Sequence, residues 1–295
     1  MENIVRDISI LSPLHASIGE SPVWDKKSGI CYWVDIEGKI VYEFNWQTKR
    51  LQQYKFENRP SLVIPGNNGN LLIAFQGGVA SFNKASGKLS WLTHLNADWS
   101  NMRCNDGAVD SLGRLWVGTM ELNCKEGEGT VFCIKKNGIF TKKIEHVSIS
   151  NGMAFSADNK RLYYTDSLKR NVVCYQYDAN SGAIEFEKIA VDVPARLGLP
   201  DGIAMDAEGM LWVALWGGFG VSRWNVDTGV MADFIPIPVP QVSSCAFAGE
   251  ALGHLVITTA TKGMTEDELI KYPDSGHVFI VQPGVKGLPR FYASV

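Results

Sequence analysis

One pattern recurs six times along this chain, and a chain that repeats itself at a fixed period has few folds open to it. Its versions begin at Glu20 (ESPVWDKKSGICYWVDI), Ser61 (SLVIPGNNGNLLIAFQG), Asn105 (NDGAVDSLGRLWVGTM), Asn151 (NGMAFSADNKRLYYTDS), Asp201 (DGIAMDAEGMLWVALWG) and Ser244 (SCAFAGEALGHLVITTA). Each joins a short apolar strand to a turn rich in Gly, Asn or Asp and then to a second strand. Successive starts lie 41 to 50 residues apart, the length of a propeller blade.

Further strands follow several units, as in KIVYEFNWQTKR, GTVFCIKKNG and NVVCYQYDANSG. They are rich in Val, Ile, Trp, Tyr and Phe and end in turn pairs such as Ser86-Gly87, Ser181-Gly182 and Thr228-Gly229, which is the signature of an all-β chain. The reading is a six-bladed β-propeller of four-stranded blades, one domain over residues 1–295. A β-sandwich would explain the strands but not the period. Six units leave the last blade one strand short. The segment Ile4–Leu11 precedes the first unit and is predicted to complete that blade, closing the ring and removing a sheet edge. One short helix is expected over Thr265–Tyr272, with Thr265 as N-cap and Glu268 completing a capping box.

Of the 295 residues, 45% are hydrophobic, enough for a large core. Lys and Arg total 28 and Asp and Glu 31, with no long run of either sign, which argues against a nucleic-acid surface or electrostatic membrane docking. No apolar stretch is long enough to span a bilayer, and the first residues lack the pattern of a signal peptide. The six cysteines contain no CxxC pair; they are expected to be buried, reduced thiols of a cytoplasmic protein.

The first residue of each unit is polar and precedes an apolar strand. In a propeller the first strand of each blade lines the central channel, so equal phase means equal height, and Glu20, Ser61, Asn105, Asn151, Asp201 and Ser244 should ring one mouth. For a single unit, Asn-Gly or Asp-Gly is ordinary turn chemistry; recurrence at one phase, together with Glu20, favours a site. Glu20, Asn151 and Asp201 offer two carboxylates and an amide oxygen, hard ligands suited to Ca²⁺, Mg²⁺ or Mn²⁺. No histidine falls at this phase, although His15 lies five residues before Glu20. Arg103 can overhang the same mouth, and Glu121 ends the second strand of that blade, which runs back to the same end. Arg103, Asn105 and Glu121 make a polyhydroxy-binding set beside a cation.

The stretches IGESPVWD, RCNDGAVDSLGRLWVGTME, SNGMAFSADNKRLYYTDS and PDGIAMDAEGMLWVALWGGFG resemble the regucalcin, gluconolactonase and luciferin-regenerating-enzyme family. The resemblance spans nearly the whole chain, with four motifs in order. It implies a six-bladed propeller that binds one divalent cation (Ca, Mg, Mn or Zn, with Fe(II) as a further option) and hydrolyses sugar lactones. By motif it places the metal ligands on Glu20, Asn151 and Asp201, the catalytic base also on Asp201, and substrate contacts on Arg103, Asn105 and Glu121. Cys104 stands in a variable position. The segment TATKGMTEDELIKYPDSG resembles that of bacterial sugar-acid lactonases, which points to a catabolic enzyme opening a xylono-, arabino- or gluconolactone. The alternatives are a calcium-binding regulator of regucalcin type and a protein-interaction scaffold. The expected partner is a small sugar lactone, with no nucleic acid and no membrane, acting on a monomer or weak homo-oligomer. Trp216 and Phe219, on a glycine-flanked loop, serve either sugar stacking or packing.

Overall fold

The computed structural model describes residues 6–95 and 99–295. These residues form six four-stranded antiparallel sheets whose innermost strands pack side by side in a ring, a six-bladed β-propeller. Blade 1 runs Gly19–Asp25, Ile30–Asp35, Ile40–Asn45 and Leu51–Lys55 from the axis outward. Blade 2 runs Pro60–Pro65, Leu71–Phe75, Gly78–Asn83 and Lys88–Thr93, and blade 3 Met102–Val109, Leu115–Glu121, Gly129–Ile134 and Phe140–Val147. Blade 4 runs Ser150–Phe155, Arg161–Asp166, Asn171–Asp178 and Ala183–Asp192, and blade 5 Leu199–Met205, Met210–Trp216, Gly220–Asn225 and Met231–Pro236. Blade 6 takes Val242–Ala248, His254–Thr259 and Val278–Val281 from its own unit and Ile8–Ser12 from the start of the chain.

The N-terminal strand pairs antiparallel with Val278–Val281, Ile8 opposite Val281. It covers an edge that would otherwise offer unpaired N–H and C=O groups. Of the segment expected to do this, Ile4 and Val5 lie outside the described residues.

Sequence repetition becomes structural repetition at two turns facing the far end of the propeller. In DSLGRLW and DAEGMLW, the Asp110 and Asp206 carboxylates accept two backbone N–H groups of their own turn. Each also accepts the indole N–H of the tryptophan six residues on, Trp116 and Trp212, at 2.9 Å. Those indoles and Trp33 are fully buried, each removing about 150–250 Å² from water, worth roughly 4–6 kcal/mol by area. The turn glycines Gly87, Gly182 and Gly229 take φ of 68, 72 and 68°, the left-handed region that side chains avoid.

The helix Glu266–Lys271 carries the expected Thr265–Glu268 capping box. Beyond Val281, however, the chain does something the repeats do not foretell. It crosses the far mouth of the channel as a strap. Ala207 N–H donates to the Lys286 carbonyl (2.8 Å), the Tyr292 hydroxyl to Asp25 (2.8 Å), Asn67 N–H to the Ala293 carbonyl (3.2 Å) and Ser294 N–H to the Gly113 carbonyl (2.8 Å). The strap thus touches the turns of blades 5, 1, 2 and 3.

Candidate active site

All six innermost strands break register with their neighbours at the same height. The breaks fall between Glu20 and Val23, Pro60 and Leu62, Cys104 and Gly107, Ser150 and Met153, Pro200 and Ile203, and Val242 and Ser244. A bulge re-aims side chains, and bulges gather beside active sites. Here they hold the six residues that open the repeats. Asn105-Asp106-Gly107, Asn151-Gly152 and Asp201-Gly202 therefore lie inside strands, not in turns. Their glycines answer to crowding between blades: a Cβ on Gly202 would stand 2.0 Å from Ser244 Oγ, and one on Gly152 2.6 Å from Ile203 N.

Two acidic residues fix the approach to this ring. Asp35, ending the second strand of blade 1, accepts Ser17 N–H (3.0 Å) and Ile18 N–H (3.1 Å). Asp166, at the same place in blade 4, accepts Ser148 N–H and Ile149 N–H, both at 3.0 Å. Each carboxylate clamps the chain just before a ring residue, Glu20 in one case and Asn151 in the other.

Glu20, Asn105, Asn151, Asp201 and Arg103 are all buried, as is Asp106, beside Asn105 on the innermost strand of blade 3. Asn105 Nδ2 donates to the Ser150 carbonyl (2.6 Å), tying blade 3 to blade 4. Arg103 Nη1 donates to Asn105 Oδ1 and to the Cys104 carbonyl. Asn151 Nδ2 donates to Ser167 Oγ (2.9 Å), which turns its oxygen the other way. Asn151 Oδ1 and Asp201 Oδ1 are buried without a hydrogen-bond partner.

Burial raises the Glu20 carboxyl, and Asp106 raises it further, against the Ser21 N–H and Arg103. Burial raises Asp201 well above its ordinary value, followed by the charges of Glu20 and Asp106. Asp106 is raised by burial as well. Three carboxyls thus share one water-poor mouth, and the arrangement is costly unless something positive joins it. Orphaned buried oxygens beside carboxylates are what an oxygen-liganded cation would satisfy. No three His, Cys, Asp or Glu side chains among the described residues converge closely enough to hold a metal by themselves. A cation at this mouth would need an amide oxygen too, and Asn151 Oδ1 is buried there without a partner.

Glu121 stands at the edge of the mouth, opposite Met102 in register. Its carboxylate is engaged by its own loop: Oε2 accepts Asn123 N–H (2.7 Å) and Lys125 N–H (3.2 Å), and Oε1 accepts Asn123 Nδ2 (3.1 Å). Cys124 on this loop is exposed, a departure from the expectation of six buried thiols; the other five are buried and all six are free. Phe219 meets the Tyr272 ring edge-on at 5.3 Å, so that aromatic packs against the end of the helix. His15 pairs with His277, Nε2 to Nε2 at 3.2 Å. A cavity of about 690 Å³ along the outer edge of blade 4 contains no ring residue; buried charge, not volume, marks the site.

Residues 18–261 match the model of the SMP-30/Gluconolactonase/LRE-like region. The chain is 34% identical to regucalcin of Xenopus laevis over 277 residues, covering 92% of this chain and 93% of that protein. It is 31% identical to YvrE of Bacillus subtilis, a protein provisionally named a sugar lactone lactonase, over 94% of each. The crystal structure of a calcium-binding protein, regucalcin, from Agrobacterium tumefaciens superposes with a TM-score of 0.93 at 27% identity, covering 98% of this chain and 97% of that one. The chain belongs to the SMP-30/gluconolactonase/LRE-like family.

Proposed function

We propose that the ring is the active site of a divalent-metal-dependent hydrolase that opens a sugar lactone, a xylono-, arabino- or gluconolactone, to its aldonic acid. The observation that carries this reading is the pair of buried, unpartnered oxygens on Asn151 and Asp201 beside the raised carboxyl of Glu20. Glu20, Asn151 and Asp201 would hold the cation, which when bound supplies Lewis-acid polarisation of the lactone carbonyl.

Asp201 is the general base. Its buried carboxylate, with Oδ1 free of any hydrogen-bond partner, is placed to accept a proton. It takes the proton of the attacking water as the new acyl–oxygen bond forms. The ring acyl–oxygen bond then breaks, and the proton passes to the departing ring oxygen, so the product is the open-chain hydroxy acid. Arg103, steadied by Asn105 and the Cys104 carbonyl, presents its remaining N–H donors to sugar hydroxyls and orients the ring. Asn105 acts by holding Arg103 and blade 4 in place. Glu121 Oε1 offers an acceptor at the rim.

The unpaired cysteines support a reducing compartment such as the cytoplasm. The same ligands would serve a calcium-binding regulator, a reading favoured by the regucalcin relatives. Acid release in a pH-stat from gluconolactone, xylonolactone and arabinolactone, with added cations and with chelator, separates the two. Hydrolysis that chelator abolishes supports the enzyme; cation binding with no turnover of any lactone supports the regulator.

A further inference from the structure

Two histidines meet at the seam of the ring, outside the site described above. His15 lies on the connection between the N-terminal strand Ile8–Ser12 and the first strand of blade 1, Gly19–Asp25. His277 immediately precedes Val278–Val281, the strand with which Ile8–Ser12 pairs. Backbone bonds hold both segments. Ala16 N–H donates to the Gly276 carbonyl (2.9 Å), and the Thr261 and Lys262 N–H groups donate to the Ser17 carbonyl, both at 3.0 Å. The Thr259 hydroxyl donates to the His277 carbonyl at 2.6 Å. The two imidazoles are thus fixed by the contacts that close the propeller. His277 is 7% exposed, whereas His15 is open to solvent.

The surroundings of the two Nδ1 atoms decide where the protons sit. His15 Nδ1 lies 2.9 Å from the Ser275 carbonyl, which can only accept, so this nitrogen carries the ring's proton. His277 Nδ1 is buried without a hydrogen-bond partner, 3.5 Å from Asp274 Oδ1. A proton there faces an acceptor; a lone pair there faces a negative charge. With protons on both Nδ1 atoms, both Nε2 atoms carry lone pairs, and they stand 3.2 Å apart. A hydrogen bond between them would strip one Nδ1 of its proton, against the Ser275 carbonyl or the Asp274 carboxylate. The rings also lie side by side, centroids 4.3 Å apart at 49°. An end-on N–H···N bond, the straight geometry such bonds prefer, would set the centroids further apart than the nitrogens by about a ring's width. Burial lowers the His277 pKa and His15 lowers it further, against Asp274 and the Pro13 carbonyl; a neutral imidazole is the ligand form.

A tetrahedral ion with metal–nitrogen bonds of about 2.0–2.1 Å holds its ligand nitrogens about 3.3 Å apart. Oxygen acceptors at the opposite nitrogen are what orient metal-bound histidines. Imidazole suits Zn²⁺, in contrast to the hard ions that the oxygens of the ring suit. We propose that His15 and His277 form a second metal site, a two-imidazole site for Zn²⁺ that staples the N-terminal connection to the loop before Val278–Val281 and so locks the closure of the propeller. Among the described residues no cluster of three His, Cys, Asp or Glu side chains forms here, so water completes the shell on the exposed side of His15. The site is independent of the ligand set proposed for the ring.

The test is long-range proton–nitrogen NMR of the full chain, labelled at histidine, titrated with Zn²⁺ at about pH 7.5, where an ordinary imidazole is neutral, in excess Ca²⁺ to occupy oxygen sites. The Nε2 signals of His15 and His277 should shift together while those of His94, His146 and His254 stay. Calorimetry under the same conditions should show Zn²⁺ affinity lower by about 10- to 100-fold in Asp274→Asn, the size of a lost outer partner, and by at least that much in His15→Ala. Zn²⁺ should raise the Tm of the parent and not that of His15→Ala. Nε2 signals that answer to pH but not to Zn²⁺ would show a pair sharing only a proton and overturn the proposal. A folded His15→Ala protein that binds Zn²⁺ as tightly as the parent would overturn it too. Should His15→Ala fail to fold, the parental spectra decide the matter by themselves.

Discussion

The Asn105 side-chain amide donates to the Ser150 carbonyl at 2.6 Å. This contact joins blade 3 to blade 4 one residue before Asn151. It commits Asn105 to the scaffold and leaves Asn151, whose amide nitrogen is taken by Ser167, with its oxygen unsatisfied. One ring residue is thereby fixed so that another can act, and the proposed division of labour can be tested residue by residue.

Glu20 is one of two anionic groups in the proposed ligand set. Glu20→Gln keeps the shape and removes the charge, so divalent-cation affinity measured by calorimetry should fall about tenfold or more, as expected for losing a charge close to the ion in a partly buried site. Affinity equal to the parent's would remove Glu20 from the set.

Arg103 lies beside Glu20 and Asp201 and contributes a charge of the wrong sign for a cation. Arg103→Ala should therefore retain the cation at least as tightly as the parent. KM for the best lactone should rise, with a smaller change in kcat if the contact is alike in ground and transition states. Loss of cation binding in a folded Arg103→Ala protein would contradict this assignment.

The raised carboxyls make stability depend on pH. Burial and the Asp106 charge bring Glu20 to about 8, and burial brings Asp106 to about 6 against the Gly107 N–H and Arg290. The folded state thus keeps protons that the unfolded chain releases near pH 4. Stability of the cation-free protein from these groups is greatest at low pH and is lost as pH rises toward 8. Melting in chelator should show Tm falling between about pH 5.5 and 8.5, by roughly 2–4 °C for each kcal/mol lost. The slope should be shallower in Asp106→Asn and in saturating cation. Equal slopes in parent and Asp106→Asn would show that the cluster does not set this dependence.

Gly202 lies where blades 5 and 6 meet, and a methyl group there would strike Ser244 Oγ at 2.0 Å and its Cα at 2.8 Å. Gly202→Ala should cost about 1–3 kcal/mol as overpacking, read as a lowered Tm. A Tm equal to the parent's would show that the space beside Ser244 can open at no cost.

The blades were legible in sequence because each unit repeats one solution: an apolar inner strand, a turn and a second strand. Glu20, Asn105, Asn151 and Asp201 were legible because they occupy one phase of that repeat. Asp106 was not, since Asp before Gly is also ordinary turn chemistry and only the bulge shows where its side chain goes. The clamps Asp35 and Asp166 left a signal in WVDI and YTDS, at matching ends of second strands. Glu121 ends the second strand of blade 3, as the repeat predicts, but its position could not reveal that its carboxylate closes its own loop. The strap beyond Val281 belongs to no repeat. It is held by contacts between residues more than eighty positions apart along the chain, such as Leu288 with Met205, which periodicity does not encode.

The central claim is that Asp201 does chemistry at the ring, and the most direct measurement is turnover of the best lactone by Asp201→Asn at saturating cation. Asn preserves an oxygen at the position while losing the proton acceptor. Removing a general base typically costs about 10²–10⁴-fold, so kcat should fall by at least that range in a protein whose melting and fold are unchanged. An Asp201→Asn protein that hydrolyses the lactone at close to the parental rate would contradict the mechanism, even with the propeller and its cation site intact.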